Sequence, residues 1–242
     1  QHDYLLTNIY VYQAQPGINR EKGEAGEIGG QVDIFYNFAK GTFLGGKYGT
    51  KLAVNGSYWN GLNAEFNESG DEYTTDFLDF GRKFFHDVNF EINKKWTDKF
   101  STIFTYMHQY YNKGIVEGGN YSHIIANVVV GDFLYKFNSN NSVRFELQHL
   151  QTKRDNKNWA AALFEYNMNQ RWNFYMGDSY NYGNDDKSRR HHYYMVGGSY
   201  TKESTRVALN FGRQRGGLIC VGGVCRYVPE NSGLTLSLVK TF

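Results

Sequence analysis

In residues 142–151, Val143, Phe145 and Leu147 alternate with Arg144, Glu146 and Gln148. A period of two is a strand, and the two sets stand on opposite faces of a sheet. What narrows the fold most is that the polar set carries full charges. The rhythm recurs where Val88, Phe90 and Ile92 oppose Asp87, Asn89, Glu91 and Asn93, and where Val207, Leu209 and Phe211 oppose Arg206 and Asn210. Near the end, Leu234, Leu236 and Leu238 oppose Thr235 and Ser237.

The pattern predicts about twelve strands, at 5–13, 28–38, 48–59, 84–95, 100–111, 123–137, 142–152, 159–168, 172–182, 191–201, 206–211 and 233–242. Most run to about ten residues, above the mode of about 5–6 in soluble sheets and close to the 9–11 of a tilted transmembrane strand. The connections alternate between tight turns (97–98, 139–141, 169–171, 202–204, with 39–46 looser) and long loops (14–27, 60–83, 112–122, 153–158, 183–190, 212–232). Short turns at one end and long loops at the other belong to outer-membrane barrels. The expected fold is therefore all-β, an antiparallel up-and-down transmembrane β-barrel forming one domain over residues 1–242. An even strand count would return both chain ends to the short-turn side. The rival is a soluble β-sandwich, whose strands alternate equally but are shorter and whose connections need not alternate.

Composition removes other classes. Aromatic residues make up 17% of the chain, with 27 Gly and only 2 Pro, which excludes disorder and coiled coil. A net charge of +2 gives nucleic acid no electrostatic footing. The most apolar stretch, 124–135, is broken by Asn127, Gly131 and Asp132, so no helix of about 20 apolar residues spans a bilayer. Residues 1–6 lack the form of a signal peptide, so any such signal is expected to have been removed or to lie upstream.

If the apolar faces meet lipid, the opposite faces line a lumen holding Asp33, Lys51, Asp87, Glu91, Asp132, Arg144, Glu146, Glu165 and Arg206. Mixed charges can bridge across strands and close the bore, helped by Phe35 and Tyr175, or line a narrow cation-preferring path. All four tryptophans fall near expected strand ends, Trp59 and Trp159 by long loops, Trp96 and Trp172 by short turns, which suits two interfacial girdles. Cys220 and Cys225, separated by Val-Gly-Gly-Val, suit a local disulfide in an oxidising compartment, with two free thiols as the alternative. No further ligands stand near to complete a metal site.

The last strand, Gly233-Leu-Thr-Leu-Ser-Leu-Val-Lys-Thr-Phe242, is similar to the terminal strand of outer-membrane β-barrels. That resemblance implies an assembly signal in Leu234, Leu236, Leu238 and Phe242, read by the barrel-assembly machinery; Lys240 departs from the pattern. The stretch Gly212-Arg-Gln-Arg-Gly-Gly-Leu-Ile-Cys220-Val-Gly-Gly-Val-Cys225-Arg-Tyr-Val-Pro229 resembles the end of an uncharacterised Bacteroidota outer-membrane barrel family, a domain of unknown function. The resemblance implies an outer-membrane location and a chain that is the C-terminal part of a larger barrel, and brings no activity with it.

Candidate chemistry is sparse. His2, His86, His108, His123, His149, His191 and His192 are scattered, and no spacing joins one to a Ser and an Asp as a triad. The run 185–192 in an outer loop offers basic groups to lipopolysaccharide phosphates, or is a solvated loop. The acidic loop 60–83, with Glu65, Glu68, Asp71, Glu72, Asp76 and Asp79, has oxygen ligands suited to calcium but not the spacing of a calcium loop. These readings predict no catalytic, cofactor or metal residues. The expected function is a non-enzymatic outer-membrane barrel serving a larger secretion, assembly or uptake complex, in contact with lipid, lipopolysaccharide and other outer-membrane or periplasmic proteins. A passive porin-like channel for small solutes and an outer-membrane hydrolase are the alternatives.

Overall fold

The computed structural model describes residues 4–12, 24–118, 122–221 and 224–241, leaving aside the side chains of residues 24–25 and 218–227. Eleven strands form one antiparallel sheet in simple meander order: β1 (Glu24–Phe38), β2 (Thr50–Asn63), β5 (Phe80–Lys95), β6 (Phe100–Asn112), β7 (His123–Lys136), β8 (Ser142–Thr152), β9 (Trp159–Met168), β10 (Trp172–Tyr180), β11 (His192–Lys202), β12 (Thr205–Gln214) and β15 (Asn231–Lys240). Two small hairpins lie in long connections. These are β3 (Glu65–Phe66) with β4 (Tyr73–Thr74), and β13 (Gly217–Val221) with β14 (Val224–Val228). A single helical turn, α1 (Lys113–Val116), follows β6 and is capped by Asn112, whose side chain accepts from the Ile115 N–H.

Short and long connections do alternate along this sheet. The tightest is the two-residue turn Glu203-Ser204 after β11, with Glu203 at φ 54°, and the three-residue turn after β9 places Asn169 and Gln170 both at positive φ (53° and 57°).

Two expectations need correction. Of the strand expected at 5–13, the described residues 5–12 are not a strand, and among the described residues eleven strands rather than twelve form the sheet. Described residues 4–12 instead lie as a turn-rich segment against the sheet, with Tyr4, Leu6 and Tyr10 each at most 2% exposed. With an odd count, β1 and β15 run in the same direction, and among the described residues no ladder joins them.

The sheet curls around this segment. Laid flat, eleven strands would hold β1 and β15 roughly 48 Å apart. Yet Tyr4 borders one cavity with Asp33 of β1 and another with Thr235 of β15. The core sits on the concave side, where Leu6 and Tyr10 pack with Met107, Tyr111, Val128, Val130, Leu150 and Trp159.

The alternation is inverted relative to a water-soluble sheet. On β8, Phe145 and Leu147 are 39% and 47% exposed, whereas Glu146 and Gln148 are 2% and 4% exposed. Val88, Phe90 and Ile92 of β5, and Val207, Leu209 and Phe211 of β12, share the exposed convex face. Replacing Leu6 with Ala should remove core packing worth about 2–5 kcal/mol. Equilibrium denaturant unfolding checks it: an unchanged midpoint would contradict the burial of residues 4–12.

Candidate functional site

Across β7, β8 and β9 the concave face gathers one cation and three carboxylates. The Arg144 guanidinium donates from Nε to both Asp132 oxygens at 3.0 Å, from Nη1 to Glu165 at 2.9 Å and from Nη2 to Glu146 at 2.6 Å. Register explains the meeting, because Asp132 stands opposite Glu146 and Arg144 opposite Glu165 on adjacent strands. The Gln148 amide donates to Glu146, and its carbonyl oxygen accepts from the Leu6 N–H at 2.7 Å. The charge network therefore continues into the segment that fills the interior.

That segment is pinned at its far end too. The Tyr10 carbonyl accepts from Gln109 at 3.3 Å, and the Tyr10 hydroxyl bonds Asp155 at 3.1 Å, while Lys113 pairs with Asp155 at 2.6 Å. Tyr12 stacks on Phe85 and lies beside Trp59. The space left towards β1 is a cavity of about 280 Å³ bordered by Asp33, Phe35, Asn55, Asn89 and Glu91. Asp33 accepts from Gln31 and Asn55, and Asp87 from Ser57 and Asn89. Local amides and hydroxyls thus already serve these carboxylates, of which Asp33 is exposed and Asp87 half-buried.

All nine charged positions named from the sequence share the concave parity. Asp132, Arg144, Glu146 and Glu165 are brought together; Asp33, Asp87 and Glu91 form a separate group on β1 and β5. Lys51 and Arg206 lie apart at the short-connection end, both exposed.

The tryptophans divide, which corrects the reading of four girdle residues. Trp96 and Trp172 are 52% and 41% exposed at the short-connection end. Trp159 is only 3% exposed and Trp59 packs against the core, both facing inward because the segment 4–12 offers them an apolar partner. The long-connection rim of the convex face instead carries tyrosine with histidine. Tyr58 meets His86, His86 meets Tyr110 and Tyr110 stacks on His123; farther round, the Tyr182 hydroxyl bonds His149 at 2.6 Å and Tyr180 stacks on His192 at 4.0 Å. Four of the seven histidines, His86, His123, His149 and His192, thus join the tyrosines of this rim.

Elsewhere, Leu234, Leu236 and Leu238 project from the convex face of β15, 67–70% exposed, while Phe242 lies outside the described residues. In the β13–β14 hairpin the backbone sets Cys220 directly opposite Cys225; the side-chain pairing lies outside the described residues. In the acidic loop, Asp71 is held by Asn67 and Ser69, and Asp79 by Asn63. Among the described residues no three His, Cys, Asp or Glu side chains converge as a metal group.

The interior role of residues 4–12 was missed, although a signal existed. Residues 4–15 carry no charge on either parity, unlike the strands whose polar faces are charged. A model of the family of unknown function DUF6029 matches residues 1–242. The chain belongs to that family. No curated protein and no solved structure matches it.

Two predictions follow from the charge geometry. Arg144→Gln leaves three carboxylates without their shared cation, an expected loss of about 3–5 kcal/mol. Adding Glu146→Gln should recover part of it in denaturant unfolding, and no recovery would contradict an electrostatic cause. At the rim, Arg213 and Tyr193 donate to Glu230 at 2.8 and 3.2 Å and hold its carboxyl below the usual glutamate range, Arg213 contributing most. A depressed folded value stabilises the fold above about 4.3, and that contribution is lost as pH falls through it. Glu230→Gln should flatten the acid limb of stability against pH; an unaltered limb would contradict the clasp.

Proposed function

We propose that this chain is a transmembrane β-barrel subunit of a bacterial outer membrane, without catalytic activity, serving a structural or accessory role in a larger envelope assembly. The observation that carries this reading is the inverted sheet, with Asp132 and Glu146 buried on the concave face and a convex face of Val, Ile, Leu and Phe left uncovered. In water so large an apolar surface would be an aggregation hazard, whereas hydrocarbon is its natural solvent.

Two aromatic rims bound that surface, Trp96, Trp172 and Tyr200 at one end and the tyrosine–histidine belt at the other. From Trp172 to Tyr180 is eight strand steps, about 27 Å along the chain, which a tilt of roughly 40° reduces to about 20 Å of height. That is close to the apolar band of about 25 Å in outer-membrane barrels. Closure of the wall is part of the proposal. β1 and β15 run the same way, so they would close in parallel, or one strand antiparallel to both would complete an even count.

The outer membrane, and a Bacteroidota source, rest on the resemblance of residues 212–229 and 233–242 to such barrels. A disulfide between Cys220 and Cys225 agrees with that compartment, and their opposed backbone positions support it. Lipid and lipopolysaccharide would surround the wall, with the barrel-assembly machinery reading its last strand. The proposed partners are other outer-membrane or periplasmic proteins, met through the long connections.

The interior filling by residues 4–12 and the Arg144 network support a structural subunit over a passive channel, and the mutual satisfaction of its carboxylates supports it over a hydrolase. In a folded bilayer preparation, Leu147→Arg should cost about 2–4 kcal/mol, the penalty of a cation against lipid. A neutral effect would contradict membrane insertion. Planar-bilayer recording separates subunit from pore: the full chain should give no steady current, and a steady current would favour the channel.

A further inference from the structure

At the long-connection end, two cavities share three lining residues, Trp159, Tyr193 and Arg215. The larger, about 760 Å³, runs between the segment 4–12 and strands β11, β12 and β15; the smaller, about 260 Å³, reaches Asn181, Asn184, Arg189 and His191. The larger lies within the range of about 300–1,000 Å³ usual for ligand pockets.

The donors here outnumber their acceptors. Trp159 is 3% exposed, and its Nε1–H, a donor only, finds no hydrogen-bond partner among the described residues. Arg215 makes no hydrogen bond or ion pair among the described residues, unlike Arg213, which clasps Glu230, and Arg189, which reaches Asp186 at 3.5 Å. Burial pulls the Arg215 guanidinium below its ordinary value, against the attraction of Tyr10, Tyr193, Asp155 and Glu117, and the group stays charged. The Asn210 Oδ1, also lining the larger cavity, lacks a donor. Trp159 and Tyr193 stack at 5.9 Å and fix the wall. A half-buried guanidinium with no hydrogen-bonded carboxylate and a buried indole N–H call for an acceptor-rich anion, and an amide oxygen wanting a donor calls for hydroxyls on the same molecule.

From the shared cavities at Trp159, Tyr193 and Arg215 we infer a binding site for an anionic saccharide, a sugar bearing a carboxylate or a phosphate. This rests on the geometry of the rim alone and holds whether or not the convex face sits in lipid. Arg215 takes the anionic group, Trp159 Nε1 donates to a ring or acid oxygen, and Asn210 accepts from a hydroxyl. Arg213 and Glu230 set the entrance, and Asn181 and Asn184, 1% and 8% exposed, form a rigid amide floor for the smaller cavity.

Intrinsic fluorescence titration of the refolded full chain tests it with three probes: digalacturonate, glucose 1-phosphate and neutral cellobiose. Saturable binding of at least one anionic probe, with cellobiose ten-fold weaker or silent, is the expected result, and which anion binds separates carboxylate from phosphate. Arg215→Gln should weaken the anion ten-fold or more, Arg215→Lys should retain part of it, and Trp159→Phe should weaken it several-fold, read by calorimetry because the fluorophore is removed. Near-ultraviolet circular dichroism confirms that each variant is folded. Equal binding of cellobiose, no binding of either anion, or undiminished binding in folded Arg215→Gln would overturn the assignment.

Discussion

The single interaction on which the architecture turns is the Arg144 guanidinium shared among Asp132, Glu146 and Glu165. Charges leave water only when paired and hydrogen-bonded. Three adjacent strands set these groups on one face by register, and the planar fork of arginine can serve three carboxylates at once. Once that face is the inside, alternation puts Phe133, Phe145, Leu147 and Phe164 outside. The inverted sheet is thus a consequence of where the polar side chains can be satisfied.

The segment 4–12 completes the interior. It reaches the charge network through Gln148, β6 through Gln109 and the β8–β9 connection through Asp155, and it packs Tyr4, Leu6 and Tyr10 against the apolar concave side chains of β5 to β9. A wide curled sheet with mixed charges inside would otherwise hold water. Tyr4, Leu6 and Tyr10 take up part of that space, and cavities remain around the segment, the larger of the two beside Arg215 lying at the rim.

Most of the sheet was legible in the sequence because period two with charges on one parity has few other meanings. The strands around Val143, Val88 and Val207, and the alternation of short and long connections, follow from local pattern and turn chemistry. What local pattern could not separate was a strand from a filler, since Tyr4, Leu6 and Tyr10 also share one parity; the absence of charge on the other parity was the missing clue. The tryptophans misled for a related reason. An indole near a strand end suits an interface, yet Trp59 and Trp159 turn inward because Tyr12, Ile9 and Tyr193 pack with them, and those partners come from distant parts of the chain. Arg215 was invisible as a site residue because its significance lies in lacking a hydrogen-bonded carboxylate, which only three dimensions reveal.

Whether hydrocarbon wets the convex face is decided most directly by spin labels placed singly at 147 and 148 on β8 in a Cys220→Ser, Cys225→Ser background, reconstituted in liposomes. Collisional accessibility to oxygen, which concentrates in lipid, is predicted to exceed that to a water-soluble nickel chelate at position 147, with position 148 shielded from both. Greater access of the nickel chelate at 147 would place that face in water and contradict the account.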